Sequence, residues 1–383
     1  MLEVHVPAMA CGSKSRPRHF DSMSEPKCKH ITMEQKELQK ITANFVKELK
    51  LSAKGEKTSL PFLIHEFSPT PLVAEGEQFQ VLKIGGSICQ NALVVKKGKE
   101  ILIEAMEEER LPLFSTGKAF LAFVKSHLRK KINYLAVNFA YPMKAVWENN
   151  RLDGILTNGT KEHAFIGLVG KQAGVTIEEF IRQKFHRQVI TSVANDTICL
   201  TLSGLTKATV DSVAGGIVGT GLNFAFFLND RQLVNLEAAC FDKFTQSEEG
   251  KIIDQRSLRP GKALFEKEVS GAYLFQNYNL KIGGKLSSTH ELDKVARGEK
   301  PGDKQVAREL FKRAAQLTAC EIAGITKFKK RPMVFVMEGS LFWVGYNFRK
   351  TVAETVKLLV PEWQVSFKAI KDCGVVGAAK LVA

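Results

Sequence analysis

The sequence lacks the features of a membrane protein or of a disulfide-rich secreted protein. No apolar run reaches the roughly 18 residues that a membrane-spanning helix needs, and the N-terminal segment shows no basic stretch followed by an uninterrupted apolar one. The seven cysteines are scattered, odd in number and without a C-x-x-C pair. We therefore expect reduced thiols, no contact with a membrane and a cytoplasmic location.

The sequence also lacks the common nucleotide and nucleic-acid motifs. No glycine-rich turn is followed by Gly-Lys-Ser or Gly-Lys-Thr, the dinucleotide fingerprint is missing, and the basic residues form neither a long block nor an RNA-binding aromatic signature. The net charge of +15, from 55 Lys+Arg and 40 Asp+Glu, favours anionic ligands without choosing among them. Scattered, solvated lysines explain this excess as well as a dedicated basic groove does.

Composition divides the 383-residue chain into four parts. Residues 1–32 mix Pro, Ser, His and Lys without a period, which predicts a flexible tail. Residues 33–75 contain an amphipathic helix, whose apolar face runs from Leu38 to Leu49, and a connector rich in Pro and Ser. Two larger domains follow at 76–212 and 213–383.

The two larger domains share an order of predicted elements. In the first, FQVLKI, NALVV and EILIEA predict three antiparallel strands, and an amphipathic helix and the strand NYLAVNFAYP follow. The second has strands in GGIVGTGLNFAFFL, QLVNLEAACF and RPMVFVME, a long helix around GKALFEKEVSGAYLFQ, and a helix in VARELFKRAAQLTACEIAGI. Two α/β halves predict a cleft between them, where ligand pockets are preferred.

A polar cluster, Asn195-Asp196-Thr197, closes the apolar run VITSVA. A carboxylate at a strand end can take a proton from a substrate hydroxyl, which makes Asp196 a candidate general base. The alternative is an Asx turn or a helix N-cap, and spacing alone favours that alternative.

Two glycine-rich turns are candidate phosphate sites. The turn from Gly215 to Asn223 and the turn Lys83-Ile84-Gly85-Gly86-Ser87 both allow backbone N–H groups to approach phosphate oxygens closely. Plain β-hairpin turns explain both equally well or better.

Two acids flanked by apolar residues, Glu237 and Glu266, are candidates to accept hydrogen bonds from sugar hydroxyls. Glu237 alternates as a strand residue that faces a polar side, and Glu266 followed by Lys267 also fits an exposed helical charge pair.

Taken in chain order, these segments resemble the motifs of the hexokinase family over roughly residues 76 to 380. FQVLKIGGSICQ resembles the first phosphate loop, LAVNFAYP with LTNGT the sugar-binding stretch, and ANDT the segment with the catalytic Asp. GTGLN, VNLEAACF, PGKALFEKEVSGAYL, MEGSLF and DCGVVGAAKL resemble the later motifs. The resemblance implies a two-lobed, actin-like or ribonuclease H-like α/β sugar kinase fold, with a duplicated βββαβ-type core and a cleft between the lobes.

The resemblance also implies roles for individual residues. Asp196 corresponds to the general base, and ATP with Mg²⁺ is the implied co-substrate complex. The implied sugar-binding residues are Thr157, Asn158, Asn195, Asp196, Asn223, Glu237 and Glu266. The implied nucleotide-binding residues are Lys83, Gly85, Gly86, Ser87, Gly219, Thr220, Gly221, Ser340 and Gly374.

Departures from the family pattern fall mainly on the phosphate side. Lys83 stands where the family has the Asp that orients magnesium through water, and Gln90 stands where it has an Arg. An ammonium can bind phosphate but cannot hold Mg²⁺. On the sugar side the replacements are Ala140, Asn158 and Ala263, and near the C-terminus the segment Cys373-Gly374-Val375 replaces a Gly-Ser-Gly turn.

Three functions follow from these observations. The first is transfer of the ATP γ-phosphoryl group to the 6-hydroxyl of a hexose, with glucose as the expected sugar. The second is a catalytically weak or inactive homologue that binds sugar and regulates a partner, which Lys83, Gln90 and the altered C-terminal turn favour. The third, nucleic-acid binding, rests on net charge alone.

Overall fold

The computed structural model describes residues 33–98, 100–160 and 162–383. The tail expected at residues 1–32 lies outside these residues. The strands are β1 (Leu63–Glu66), β2 (Gln78–Ile84), β3 (Ile88–Lys97), β4 (Glu100–Arg110), β5 (Tyr134–Phe139), β6 (Met143–Glu148), β7 (Arg151–Leu156), β8 (Ile190–Ala194), β9 (Val213–Val218), β10 (Leu222–Asn229), β11 (Gln232–Asn235), β12 (Met333–Glu338) and β13 (Val365–Lys368).

Helices connect and cover these strands. They are α1 (Gln35–Ser52), α2 (Gly117–His127), α3 (Ala173–Phe185), α4 (Asp196–Ser203), α5 (Glu248–Arg256), α6 (Glu266–Val269), α7 (Leu274–Ile282), α8 (Thr289–Arg297), α9 (Lys304–Lys329), α10 (Ser340–Val344), α11 (Phe348–Leu359) and α12 (Cys373–Ala379). In the described ranges, none of them combines the length and the apolar character of a membrane span.

Two mixed sheets repeat one plan. The five-stranded sheet has the order β4-β3-β2-β5-β8, in which β2, β3 and β4 are antiparallel and β5 and β8 run parallel to β2. In the six-stranded sheet, β1-β11-β10-β9-β12-β13, strands β9, β10 and β11 are antiparallel and β12 and β13 run parallel to β9. The predicted duplication of a βββαβ-type core is confirmed.

Helix α4 lies in a core that both sheets share. This hydrophobic core joins Val81 of β2, Leu200 of α4, Phe227 of β10 and Val375 of α12. Every residue of α4 after Asp196 is buried, and the hydroxyls of Thr201 and Ser203 donate to carbonyl oxygens within the helix. The first residue of this helix is therefore held between the two sheets.

The predicted N-terminal helix is confirmed, and its connector contains a strand. Leu38 to Leu49 form the buried face of α1, which packs on α9: the Cys320 thiol lies 3.5 Å from the carbonyl oxygen of Leu38. The connector includes β1, which pairs with β11 at the edge of the six-stranded sheet. Residues 33–66 thus pack with the second predicted domain, while the domain bounds stay a prediction.

The long helix predicted around residues 261–276 is wrong. The chain there forms the four-residue helix α6, an extended Ser270 and then α7. The reason is a backbone contact: the N–H of Gly271 donates to the carbonyl oxygen of Gly219 at 2.7 Å. A Cβ at position 271 would lie 2.9 Å from that oxygen, so the break in the helix brings Gly271 against the second glycine-rich turn.

Glu321 is a fully buried carboxyl in α9. Neither of its side-chain oxygens has a hydrogen-bond partner in the part of the chain that the structure describes. Burial raises its pKa well above the usual value, which favours the protonated carboxyl in the folded protein. A carboxyl whose pKa is raised in the folded state stabilises the folded protein at pH values below its usual pKa. This stabilisation is lost as the pH rises toward the pKa of the folded state.

Glu321→Gln removes this titration. We expect the free energy of unfolding of the parent to fall between pH 5 and pH 8 by about 1–3 kcal/mol more than that of the variant. Urea unfolding at both pH values measures this difference. Glu354→Gln, at an exposed position of α11, serves as the matched control and should follow the parent. Parallel pH profiles for the parent and Glu321→Gln would contradict the assignment.

Candidate functional site

Asp196 is the first residue of α4. Asn195 caps the helix, since its side-chain oxygen accepts a hydrogen bond from the N–H of Thr197 at 2.9 Å, and the carboxylate of Asp196 accepts one from the same N–H at 2.8 Å. The local structure is thus the helix N-cap that spacing alone favoured. The start of a helix also favours a negative charge, so an acid at this position stabilises the helix and still presents an open carboxylate oxygen.

A chain of side-chain amides extends from α4 across the six-stranded sheet. The amide of Asn223 in β10 donates to the hydroxyl of Thr197 at 3.1 Å and to the side-chain oxygen of Asn235 at 2.8 Å. Asn235, which ends β11, donates in turn to Glu237 at 2.8 Å. The network orients Asn223 and Glu237, two of the predicted sugar-binding residues, toward the same region as α4.

Asn235 is missing from the sequence-based assignment of the site. It is 2% exposed and makes hydrogen bonds on both sides of its amide. The available signal was an Asn at the end of an apolar strand, the same signal that singled out Asn195.

Glu237 does not continue a strand, so its predicted strand position is wrong. Strand β11 ends at Asn235, and Glu237 has a left-handed backbone, with φ of 50°, at the start of a short 3-10 turn. The turn directs its carboxyl back toward the Asn235 amide and not along the strand face. Burial raises the pKa of Glu237, the hydrogen bond from Asn235 opposes this shift, and the negative charge of Asp196 adds to it.

Glu266, at the start of α6, completes the cluster. Its carboxylate accepts a hydrogen bond from the N–H of Leu222 at 2.9 Å, which links it to the turn before β10. Burial raises its pKa, and the charge of Glu237 contributes in the same direction. Asp196, Glu237 and Glu266 thus bring three carboxyl groups near one another, at the ends of the inner strands β10 and β11. Such a set of acceptors suits a ligand with several hydroxyl groups.

Thr157 and Asn158 are exposed residues just after β7. The hydroxyl of Thr157 donates to the carbonyl oxygen of Pro142 at 3.0 Å, and no contact in the described ranges joins either residue to the carboxyl cluster. The next two residues, Gly159 and Thr160, line a cavity of about 1070 Å³ that Glu266 also lines. The predicted sugar-binding stretch therefore faces the cluster across this cavity and does not touch it.

The second glycine-rich turn is held against two other segments. Gly219 accepts from Gly271, and Thr220 accepts from Ala272 at 3.2 Å. A smaller cavity of about 230 Å³ is lined by Gly219, Thr220 and Ser340, the first residue of α10. The structure thus brings together three predicted nucleotide-binding residues.

The first glycine turn is a β-hairpin turn between β2 and β3. The N–H of Gly85 donates to the carbonyl oxygen of Ile88 at 3.0 Å, and the hydroxyl of Tyr141 donates to the Gly85 carbonyl at 2.8 Å. Ser87 is exposed at its tip. Gln90, which follows in β3, donates to Glu108 of β4 at 2.8 Å, so its amide is engaged within the sheet.

An ion pair links the two sheets between these glycine turns. Lys83, near the end of β2, has its ammonium 3.7 Å from a carboxylate oxygen of Glu338, which ends β12. The other oxygen of Glu338 lies 3.7 Å from the Cys373 sulfur. Burial raises the pKa of the Cys373 thiol to about 12, and the charge of Glu338 adds to that shift. The chain therefore places a cation and a carboxylate together at the junction of β2 and β12.

The residues at this junction do not fit a divalent cation. Mg²⁺ at nucleotide sites is bound by one or two carboxylates together with waters and phosphates, and Glu338 is the carboxylate that contacts Lys83 here. Glu338 already faces an ammonium, and a Mg²⁺ ion there would meet the positive charge of Lys83.

Comparison with known proteins agrees with this arrangement. Two models, both described as hexokinase, match residues 24–205 and 285–383. The chain belongs to the hexokinase family. The hexokinase of Emericella nidulans is 24% identical over 457 aligned positions, which cover 96% of this chain and 90% of that relative. Human hexokinase-2 is 25% identical, and the chain spans about half of its length, since the match covers 92% of this chain and 47% of that protein.

Solved structures show the fold. The hexokinase from Schistosoma mansoni complexed with glucose superposes with a TM-score of 0.72 at 20% identity, covering 92% of this chain and 96% of that one. A putative N-acetylmannosamine kinase from Listeria monocytogenes has a TM-score of 0.57 at 15% identity, covering 80% and 98%. The predicted two-lobed α/β sugar kinase fold is confirmed.

The amide network predicts energetic coupling between two neighbouring strands. Asn223→Ala and Asn235→Ala should each destabilise the protein, and the double variant should lose about 0.5–2 kcal/mol less than the sum, because one shared hydrogen bond is removed twice. Urea unfolding of the three variants measures this coupling. The pair Asn223→Ala and Asn91→Ala, with Asn91 in the five-stranded sheet, should be additive. Additive losses for Asn223 and Asn235 would show that the network is not cooperative.

Proposed function

We propose that this member of the hexokinase family binds a hexose, with glucose as its sugar, and transfers the γ-phosphoryl group of ATP to the 6-hydroxyl. The observation that carries the proposal is the hydrogen-bond network from Asp196 through Thr197, Asn223 and Asn235 to Glu237, with Glu266 held nearby by the N–H of Leu222. Family membership supports the sugar kinase class, and the glucose complex of the Schistosoma mansoni hexokinase supports the choice of sugar.

The cluster suits a sugar because of its excess of acceptors. Glu237 and Glu266 lie half-buried near Asp196 and each keeps a carboxylate oxygen for which the described contacts show no donor. Hydroxyl groups of a hexose supply those donors, and a sugar lacking one of them would leave a buried acceptor unpaired. Asn195 adds an amide group, and Asn223, whose amide hydrogens go to Thr197 and Asn235, holds the network in place. Thr157 and Asn158 would approach the sugar across the cavity when the lobes close.

Asp196 is the proposed general base. It takes the proton of the sugar 6-hydroxyl, the sugar oxygen forms a bond to the γ-phosphorus, and the bond from that phosphorus to the β-γ bridging oxygen breaks, so that ADP leaves. The position of Asp196 at the start of a buried helix supports this role, since the packing of α4 fixes the carboxylate.

The two glycine turns are the proposed phosphate side. Gly85, Gly86 and Ser87 would face Gly219, Thr220 and Gly221 across the cleft, with Ser340 and Gly374 nearby. Backbone N–H groups of such turns bind phosphate oxygens without a side chain in the way. Because the junction does not fit Mg²⁺, no step is assigned to a metal.

A second function, a sugar-binding regulatory protein without turnover, is favoured by one observation. Lys83 pairs with Glu338 at the junction of the phosphate side, where the charge pattern differs from that expected for a metal–nucleotide complex. Such a protein would bind sugar at the same cluster and report it through closure of the lobes.

Asp196→Asn separates these functions. In a coupled assay of ADP release with several hexoses, we expect glucose-dependent turnover in the parent and a loss of about 10³-fold or more in kcat in the variant, since the amide cannot accept the proton. Glucose affinity, measured by calorimetry, should change only a few-fold. Asp230→Asn, at an exposed position between β10 and β11, is the matched control.

Two other outcomes are informative. A parent that binds glucose but shows no sugar-dependent ADP release would exclude the kinase and support the regulatory function. A parent that binds no hexose would exclude both.

A further inference from the structure

We propose that the cleft carries its own fixed cation, Lys83, and that the phosphate side binds a nucleoside polyphosphate free of divalent metal. The inference rests on the proposed function in one respect, which is that the two glycine turns form the phosphate side. It concerns which cation neutralises the phosphates of the nucleotide, and it does not concern the sugar.

The ammonium of Lys83 lies at the meeting point of the two turns. Lys83 precedes the turn at Gly85 by two residues, and Glu338, 3.7 Å away, is followed by Gly339. Gly339 lies against Gly219, since a Cβ on Gly219 would be 3.2 Å from the Cα of Gly339. The side chain of Lys83 is 27% exposed, which leaves its charge accessible to a ligand in the cleft.

The packing around Lys83 fixes its alkyl chain. A Cβ at position 374 would lie 2.7 Å from the Cδ atom of Lys83, so the glycine in α12 leaves room for the Lys83 side chain in this position. The backbone of Lys83 pairs with Gln90 on one side and Asn138 on the other, in the middle of the five-stranded sheet. A cation held in this way is positioned before the ligand arrives, which reduces the entropic cost of binding.

Asn138 provides an independent observation. It is 1% exposed, its amide donates to the carbonyl oxygen of Gly374 at 3.1 Å, and its side-chain oxygen has no partner among the described residues. Gly374 lies within reach of both Asn138 and Lys83, so the two side chains share one face of the sheet. An ammonium has three donors and can satisfy the oxygen of Asn138 while it contacts a phosphate.

The positive charge of Lys83 disfavours a divalent cation beside Glu338. A divalent cation beside Glu338 would have to displace Lys83 or accept repulsion from it. A polyphosphate needs neither, because its oxygens can replace Glu338 as the partner of the ammonium and form charge-assisted hydrogen bonds. Glu338 therefore acts as a competitor that the ligand displaces.

Calorimetric titration of the full chain with ATP, in EDTA and in excess Mg²⁺, tests the inference. We expect ATP to bind in EDTA and its dissociation constant to rise about fivefold or more in excess Mg²⁺, because the metal neutralises the phosphates and meets repulsion from Lys83. In EDTA, Lys83→Met should weaken binding about tenfold or more, Lys83→Arg should retain it, and Glu338→Gln should tighten it several-fold because the competing carboxylate is gone. Lys97→Met, at an exposed position at the end of β3, is the matched control and should bind like the parent.

Several results would overturn the inference: ATP binding by the parent that is as tight or tighter in Mg²⁺ than in EDTA, no ATP binding in either buffer, or EDTA binding that is unchanged in Lys83→Met. Thermal unfolding checks that each variant is folded. If Lys83→Met does not fold, the two single variants Lys83→Arg and Glu338→Gln test the claim instead. Glucose is titrated separately without nucleotide. If glucose does not bind but the ATP results are as expected, the proposed function is contradicted. If glucose binds but the ATP results are not as expected, the role of Lys83 as the cation is contradicted.

Discussion

Burial of α4 between the two sheets is the constraint on which the rest of the structure depends. The helix has only eight residues, and the elements that bury it pack closely against its backbone. Position 377 of α12 has to be glycine, because a Cβ there would overlap the carbonyl group of Cys199. With α4 enclosed on all sides, its N-terminus can lie only where the ends of β8, β10 and β11 meet. Thr197 is thereby brought to the amide of Asn223, with Asp196 beside it.

The proposed sugar side and the proposed phosphate side of the cleft have opposite electrostatic character. On the sugar side, Asp196, Glu237 and Glu266 are acids whose neighbours are amides and backbone N–H groups, and burial raises the pKa values of the two glutamates. On the phosphate side, the chain has placed a cation at the junction of two glycine turns and balanced it with Glu338. A neutral polyhydroxyl ligand suits the first environment and an anion suits the second. This division gives a physical reason to treat sugar binding and nucleotide binding as separable properties.

Much of the fold could be predicted because it follows from local patterns. The apolar face of α1, the antiparallel β2-β3-β4 meander and the long helix α9 all appear where periodicity placed them. The failures occurred where a distant segment overrode the local pattern. The break after α6 depends on a hydrogen bond from Gly271 to Gly219, some fifty positions away in the chain, and no period in the sequence of α6 and α7 reports it. Likewise, β1 becomes a strand only because β11 offers it an edge.

The candidate site shows the same division. By itself, the sequence determined the family, the repeated α/β order and the identity of most polar groups, because motifs and hydrophobic periods are local and survive in the order of the residues. Three features could be seen only in the folded protein: Glu237 turns away from β11, Asn235 joins Asn223 to Glu237, and Lys83 pairs with Glu338. These outcomes depend on distances between residues far apart in the chain, and such distances are set when two sheets pack on one short helix.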